Sequence, residues 1–185
     1  MQYRIAQSKN KFRYSVMPVQ GLKSIIIELY VDAGFFYDEK IGTSHILEHL
    51  FFSSYKERHP DIKDYFGGTT MGRYMRFRAT IHLKDFEKAI IQLHDMVFNI
   101  SLSFKMIEKE KNIVINELSH RLESPFMRLY EETLKGRFIG KTPYLNLSDI
   151  SALKSIRSIT IQDVKKHYND YFTSDNCIIF IGTPL

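Results

Sequence analysis

The strongest constraint on the fold is a regular alternation near the middle of the chain. From Met75 to Lys84, apolar residues occupy every second position, and polar or basic residues occupy the positions between them. Successive side chains of a strand point to opposite faces, so this period of two predicts a strand with one apolar and one basic face. A chain that contains such a strand must cover its apolar face with another layer.

The segments on either side of this strand differ in character. Before it, the sequence predicts strands at Tyr3–Ala6, Phe12–Pro18 and Leu22–Ala33, and helices at Thr43–Phe52 and near Asp61–Phe66. After it, a helical period predicts helices at Asp85–Asn99, Ser103–Leu122, Pro125–Phe138, Ser148–Ile156 and Ile161–Tyr171.

The end of the chain completes the predicted fold. Thr160 and Asp163 resemble a capping box at the start of the last helix, and Asn176–Ile181 predicts a returning buried strand. Strands, then helices, then a strand predict an α+β fold. We expect a mostly antiparallel sheet packed against a layer of helices, as a single domain over residues 1–185.

Composition narrows the function classes. The 26 Lys and Arg are interspersed with 21 Asp and Glu, without zinc-finger spacing or an arginine-rich arm, so nucleic acid is not an expected partner. No apolar run approaches the roughly 20 residues of a membrane helix, so no membrane is expected. A single cysteine, Cys177, and a start without a signal-peptide pattern predict a cytoplasmic protein.

The main chemical signal is the motif H-x-x-E-H at residues 45–49, inside a predicted helix. Residues four apart share a helix face with Cβ atoms about 5–6 Å apart, so His45 and His49 can reach one zinc ion. Glu48 lies near that face, where a carboxylate can act as general base. This residue order occurs in metallopeptidases. Two surface histidines beside a solvated glutamate are the alternative.

A catalytic zinc needs a third protein ligand, which should come from another element. The long helix that follows offers four acidic candidates: Glu108, Glu110, Glu117 and Glu123. Glu117 follows the apolar run Ile113–Ile115, and a carboxylate in apolar company needs a partner such as a metal. Glu110 lies two turns earlier on nearly the same face and could support the site. A solvated carboxylate flanked by lysines is the alternative for Glu110.

Both motifs resemble one family. The run Gly42–Phe52 resembles the active-site helix of the pitrilysin/insulysin and mitochondrial-processing-peptidase family, the inverzincins. The run Glu110–Leu118 resembles the family's second motif, in which the last Glu is the third zinc ligand and the earlier one supports the site. Val31–Gly34, Gly67-Gly68 and the segments after Asp85 and Ser158 extend the resemblance over nearly the whole chain.

The resemblance implies a zinc metalloendopeptidase that cleaves peptides or flexible leader segments. Its Zn²⁺ would be held by His45, His49 and Glu117, and water activated there would attack the peptide bond with Glu48 as general base. Glu110 would belong to the same catalytic machinery.

Two departures from the family pattern concern substrate and partner. The segment after Gly68 is shorter, and Met71-Gly72 stands where family members generally have an Asn-Ala pair that helps to hold substrate. Family members also pair this domain with a similarly folded one, whereas this chain stops where the first domain would end. The resemblance therefore implies a second homologous subunit, as a heterodimer rather than a homodimer. A zinc-binding but inactive peptide-binding or scaffold subunit and a metal-free structural subunit are the alternatives.

The basic face of the Met75–Lys84 strand suggests a preference for acidic peptides. Arg76 and Arg78, with His82 and Lys84, are expected to line the substrate chamber or the partner interface. A plain solvated strand face is the alternative. His120, one turn after Glu117, is a minor rival for a role in the site.

Overall fold

The computed structural model describes residues 4–61, 63–127, 129, 133 and 149–185. Within these residues the strands are β1 (Ala6–Gln7), β2 (Arg13–Val19), β3 (Ile25–Val31), β4 (Gly67–Thr70), β5 (Met75–Ile81) and β6 (Cys177–Pro184). The helices are α1 (Thr43–Arg58), α2 (Phe86–Phe98), α3 (Phe104–Glu123), α4 (Asp149–Ser158) and α5 (Ile161–Tyr171). Most of the predicted helix Pro125–Phe138 lies outside the described residues.

The strands form one sheet in the order β1-β2-β6-β3-β5-β4. All neighbours are antiparallel except β2 and β6, which run parallel. β3 lies between β5 and β6, so that Leu29 is opposite Phe77 on one side and Ile179 on the other. The predicted α+β fold with a mostly antiparallel sheet is confirmed.

The core lies between the sheet and the helices. The alternation predicted from Met75 is confirmed as far as Ile81, because Met75, Phe77, Ala79 and Ile81 are all buried. The Phe77 ring lies 5.4 Å from that of Phe51 on α1, which identifies the covered face of the sheet. The predicted continuation to Leu83 is wrong: Leu83 is 74% exposed and begins a 3-10 turn.

The connection from α1 to the sheet differs from the prediction. α1 continues to Arg58, since Ser54 and Tyr55 still bury their side chains. No helix is present near Asp61–Phe66 among the residues described there, so that prediction is wrong. The chain returns instead as β4, which pairs with β5 through Gly68 opposite Phe77. The glycine pair therefore begins a strand and does not end a helix.

Local geometry determines where the helices α5 and α1 begin. The capping box predicted for α5 is confirmed, with Thr160 and Asp163 exchanging side chain-to-backbone hydrogen bonds. At the start of α1, Gly42 has a φ of 98°, in the left-handed region that favours glycine. A Cβ at this position would lie 2.6 Å from Cγ1 of Ile156 on α4.

Among the described helices, none has the length and apolar character that crossing a membrane requires.

We expect Gly42→Ala to lower the free energy of unfolding by about 1–3 kcal/mol. The left-handed conformation costs a residue with a Cβ roughly 1–2 kcal/mol, and the contact with Ile156 adds strain. Urea denaturation of both variants measures the effect, with Gly67→Ala as the matched control. No atom lies within 4 Å of a Cβ built on Gly67, so this variant should stay near the wild type. Equal midpoints for the two variants would contradict the prediction.

Candidate metal centre

The three predicted metal ligands lie together between α1 and α3. His45 and His49 are one turn apart on α1, with ring centroids 4.9 Å apart. Oε2 of Glu117, on α3, lies 3.6 Å from Nε2 of His45 and 3.7 Å from Nε2 of His49. One ligand atom from each residue lies within 4.8 Å of the other two. Residues far apart in sequence thus converge on one point.

This donor set fits a zinc ion. Two imidazole nitrogens and one carboxylate oxygen are what catalytic zinc sites use, with a further position left open. Ligand bonds of about 2.0–2.2 Å place tetrahedral donor atoms roughly 3.3–3.6 Å apart, close to the two separations observed. The Glu117 side chain is 48% exposed, so the centre opens to solvent on the side of α3.

Glu110 contacts His49 from the buried side of the candidate centre. It is only 2% exposed, and its Oε2 lies 3.3 Å from Nδ1 of His49. Ser53 donates a hydrogen bond of 2.6 Å to its other oxygen. With Nδ1 donating to Glu110, the Nε2 lone pair of His49 is left for a metal. Glu110 is therefore not a solvated helix carboxylate. It contacts His49 and does not line the open cleft beside the predicted ligands.

Glu48 lies against β4. Thr70, the last residue of β4, donates a hydrogen bond of 2.5 Å to Oε2 of Glu48. A Cβ on Gly68 would come within 2.8 Å of Oε1 of Glu48, so only glycine allows this approach. Burial is the main influence on Glu48 and raises the pKa of its carboxyl group. Sequence analysis missed Thr70, because β4 itself was not predicted.

The electrostatic environment keeps His45 neutral. Burial, together with the nearby charges of His49 and Arg121, lowers the pKa of His45 to about 4. At neutral pH, one of the two ring nitrogens of His45 is therefore unprotonated, as metal binding requires.

A cleft of about 470 Å³ opens beside the three ligands. His45, Glu48 and Glu117 contribute to its wall, together with Thr70 and Arg121. The rest of the wall is mostly apolar, with the side chains of Phe35, Ile41, Val114, Leu118, Ala152 and Ile156. The chemistry-bearing groups thus face a space large enough for part of a peptide.

Arg76 and Arg78 lie elsewhere. Phe77 faces α1, so its neighbours on β5 point to the opposite face of the sheet. There they flank Glu28, with Nε of Arg78 at 3.4 Å and Nη1 of Arg76 at 4.0 Å from Oε1 of Glu28. Neither residue lines the cleft, so a contact with substrate remains a prediction without support from the site. His120 is also outside it, since its side chain is 82% exposed and lies 3.7 Å from Glu123.

A buried carboxylate holds the start of α1. Asp38 accepts hydrogen bonds from the backbone N–H groups of Gly42 and Ser44, each at 2.9 Å, and from the Ser44 hydroxyl. Its side chain is 1% exposed, and Nδ1 of His167 lies 3.9 Å away. Burial raises the pKa of Asp38 to about 6. Asp38 thus fixes the helix one residue before His45, a role that sequence analysis missed.

Comparison with known proteins shows the family. Residues 21–142 match the family model described as insulinase (peptidase family M16). The chain therefore belongs to this family. The matched segment contains His45, Glu48, His49, Glu110 and Glu117.

Curated relatives share low sequence identity over most of the chain. It is 22% identical over 186 residues to a probable mitochondrial-processing peptidase subunit beta from Arabidopsis thaliana, covering 95% of this chain and 35% of that protein. It is 25% identical over 185 residues to an uncharacterized zinc protease from Rickettsia felis, covering 90% of this chain and 43% of that protein. The chain thus spans less than half the length of these relatives.

Solved structures share the fold. A putative M16-like peptidase from Alicyclobacillus acidocaldarius superposes with a TM-score of 0.83 at 20% identity, over 98% of this chain and 45% of that one. An M16 inactive domain from Pseudomonas fluorescens superposes with a TM-score of 0.80 at 16% identity, over 100% of this chain and 47% of that one. The likeness establishes the architecture of an M16 peptidase domain.

We expect the stability contributed by Asp38 to fall as the pH rises. An acid whose pKa is raised in the folded state stabilises the fold fully below its unfolded pKa near 3.8, and this stability is lost as the pH rises through about 6. Relative to Asp38→Asn, the free energy of unfolding of the wild type should fall by up to about 3 kcal/mol between about pH 4 and pH 7. Urea denaturation of both proteins with a chelator present tests this, and a pH-independent difference would contradict it.

Proposed function

We propose that this chain is the zinc-binding part of a metalloendopeptidase that cleaves peptides or flexible leader segments. The observation that carries the proposal is the convergence of His45, His49 and Glu117 beside Glu48 at an open cleft. Membership of the M16 family and the likeness to an uncharacterized zinc protease support it. An additional support is the buried contact between Glu110 and His49, which a metal-free structural role would not need.

His45, His49 and Glu117 would hold the zinc. When bound, zinc would polarise the scissile carbonyl and lower the pKa of water toward about 7. The chain's own residues prepare this site in two ways. Glu110 orients the ring of His49, and burial keeps His45 neutral.

Glu48 would move the proton. Its carboxylate borders the cleft, where it could take a proton from the attacking water and pass it to the leaving amine. A raised pKa suits both steps, because the group must bind a proton and then release it. The hydrogen bond from Thr70 would hold the carboxylate toward the cleft while this happens.

The position of β4 supports an extended substrate. β4 is the last strand of the described sheet, and β5 is its partner on one side only. A peptide that pairs with its outer edge would add a strand to the sheet. Because Thr70 of β4 contacts Glu48, such a peptide would pass directly beside the proposed base.

We propose that a second homologous subunit completes the enzyme, as a heterodimer. One curated relative is described as a subunit, and the chain matches only 35% of that relative's length. The cleft is open beside Glu117, where another domain could close it.

The lone cysteine, Cys177, is buried, which is compatible with the proposed cytoplasmic location.

One observation favours a second candidate, a zinc-binding but inactive peptide-binding subunit. At Met71-Gly72 the backbone carbonyl groups accept hydrogen bonds from Phe35 and Phe36, at 3.1 and 2.7 Å. This segment offers no amide side chain to a substrate. The Pseudomonas fluorescens domain of similar fold is described as inactive. Peptide turnover separates the two candidates, whereas zinc content does not.

The first test is the zinc content and turnover of two variants. We expect about one zinc per wild-type chain by elemental analysis after reconstitution, and its loss in His49→Ala. Glu48→Gln should keep the zinc, because Glu48 is not a ligand, but should lower turnover at least about 100-fold. Peptide cleavage by this chain together with its homologous subunit, followed by mass spectrometry, measures the second effect. Wild-type turnover by Glu48→Gln would remove Glu48 from the mechanism.

The second test concerns Glu110. We expect Glu110→Gln to weaken zinc binding about 10–100-fold, because the amide no longer provides a charged acceptor for the His49 ring. Competition with a chromophoric chelator measures the affinity. Glu123→Gln is the matched control on the same helix, since this carboxylate is 75% exposed and contacts His120. Equal affinities for the two variants would show that Glu110 does not support the metal.

A further inference from the structure

One cation borders the cleft, and no carboxylate among the described residues pairs with it. Among the described residues, Arg121 is the only lysine or arginine that lines this space. It follows Glu117 by four positions on α3, which places the two side chains on the same helix face, one turn apart. Arg121 therefore lies beside the metal centre, on the side where α3 ends.

No acidic side chain in the described part of the chain neutralises Arg121. Oε2 of Glu117 is directed at His45 and His49. The nearby carboxylate of Glu123 contacts His120 instead, at 3.7 Å. A cation close to a metal site also opposes metal binding by charge repulsion, so the metal centre itself gives no reason for an arginine here.

The surroundings of Arg121 indicate what it could bind. The remaining wall of the cleft is largely apolar, including Val114 and Leu118 on the same helix and Ile156 on α4. A guanidinium group at the edge of an apolar space favours a carboxylate, which it can bind through two parallel hydrogen bonds. The same space would accept the apolar side chains of neighbouring substrate residues.

We propose that Arg121 selects peptides that carry a carboxylate close to the bond to be cleaved. This inference deepens the proposed function and rests on it. Four residues of helix span about 6 Å, and an extended peptide advances about 3.3 Å per residue. The carboxylate would therefore lie within about three residues of the scissile bond. It comes either from an Asp or Glu side chain or from a free C-terminus.

The inference also assigns the acidic preference to a residue other than those expected from sequence. Arg76 and Arg78 share Glu28 as a counter-ion on the opposite face of the sheet. Their charge is thus partly neutralised and does not face the cleft. Arg121, in contrast, lines the cleft, and no carboxylate among the described residues neutralises its charge.

The test measures peptide binding without turnover, in a Glu48→Gln background. Fluorescence anisotropy gives Kd for short labelled peptides of apolar residues that carry one central Glu or Gln, each with a free or amidated C-terminus. We expect the Glu peptide to bind about tenfold more tightly than the Gln peptide if a side chain is recognised. If the C-terminus is recognised, amidation should cause the loss instead. Either preference should weaken at high salt.

The Arg121 variants decide the assignment. Arg121→Gln should abolish the preference, and Arg121→Glu should reverse it in favour of a Lys peptide. Lys105→Gln is the matched control, because it removes one exposed charge at the far end of the same helix. Equal Kd values for all peptides, or a preference that survives in Arg121→Gln, would overturn the inference.

Zinc content measured on these preparations, and cleavage measured on the matching proteins that keep Glu48, keep the two proposals apart. Zinc binding and turnover without any charge preference would refute the role of Arg121 alone. A charge preference that depends on Arg121 in a chain without zinc would support this role and refute the proposed function.

Discussion

The site depends on how α1 packs against the sheet. Ile46, Leu47, Leu50 and Phe51 are completely buried, and Phe51 contacts Phe77 of β5. Burying one such side chain contributes roughly 1.5–3 kcal/mol, so rotating the helix to another face would cost several times that amount. The remaining positions of the same turns are His45, Glu48 and His49. The apolar face therefore determines which way the three groups of the proposed site point.

Buried polar groups then define the site more finely. Asp38 holds the start of α1, and Glu110 holds His49 from the neighbouring helix. A buried carboxylate without hydrogen-bond donors raises the free energy of the folded state. The carboxylates of Asp38 and Glu110 therefore favour the one arrangement of α1 and α3 in which their donors are in place. Glu48, the proposed general base, is held in a different way, by Thr70 on the edge strand. The site is thus supported from the helix start, from α3 and from β4.

Much of this arrangement could be predicted from sequence, and the missing parts have physical explanations. Helical spacing was enough to place His45, Glu48 and His49 on one side of α1, and alternation was enough to predict β5. Alternation shows that a strand has two faces but not which face the site occupies, so Arg76 and Arg78 were expected near substrate. Gly67-Gly68 has low strand propensity, which concealed β4 and with it Thr70. Arg121 carried a usable signal, because it stands four residues after Glu117 on the same helix.

The placement of β6 has a consequence for how the molecule is made. β6 lies between β2 and β3, although it is formed by Cys177–Pro184 and these two strands precede residue 32. The sheet consequently remains split while the ribosome produces the segments that carry the histidines and Glu117. Pairings between such distant residues form slowly, and unpaired strand edges stay exposed in the meantime. The nascent chain would thus present two open edges to chaperones, or to its own copies, until its closing strand inserts.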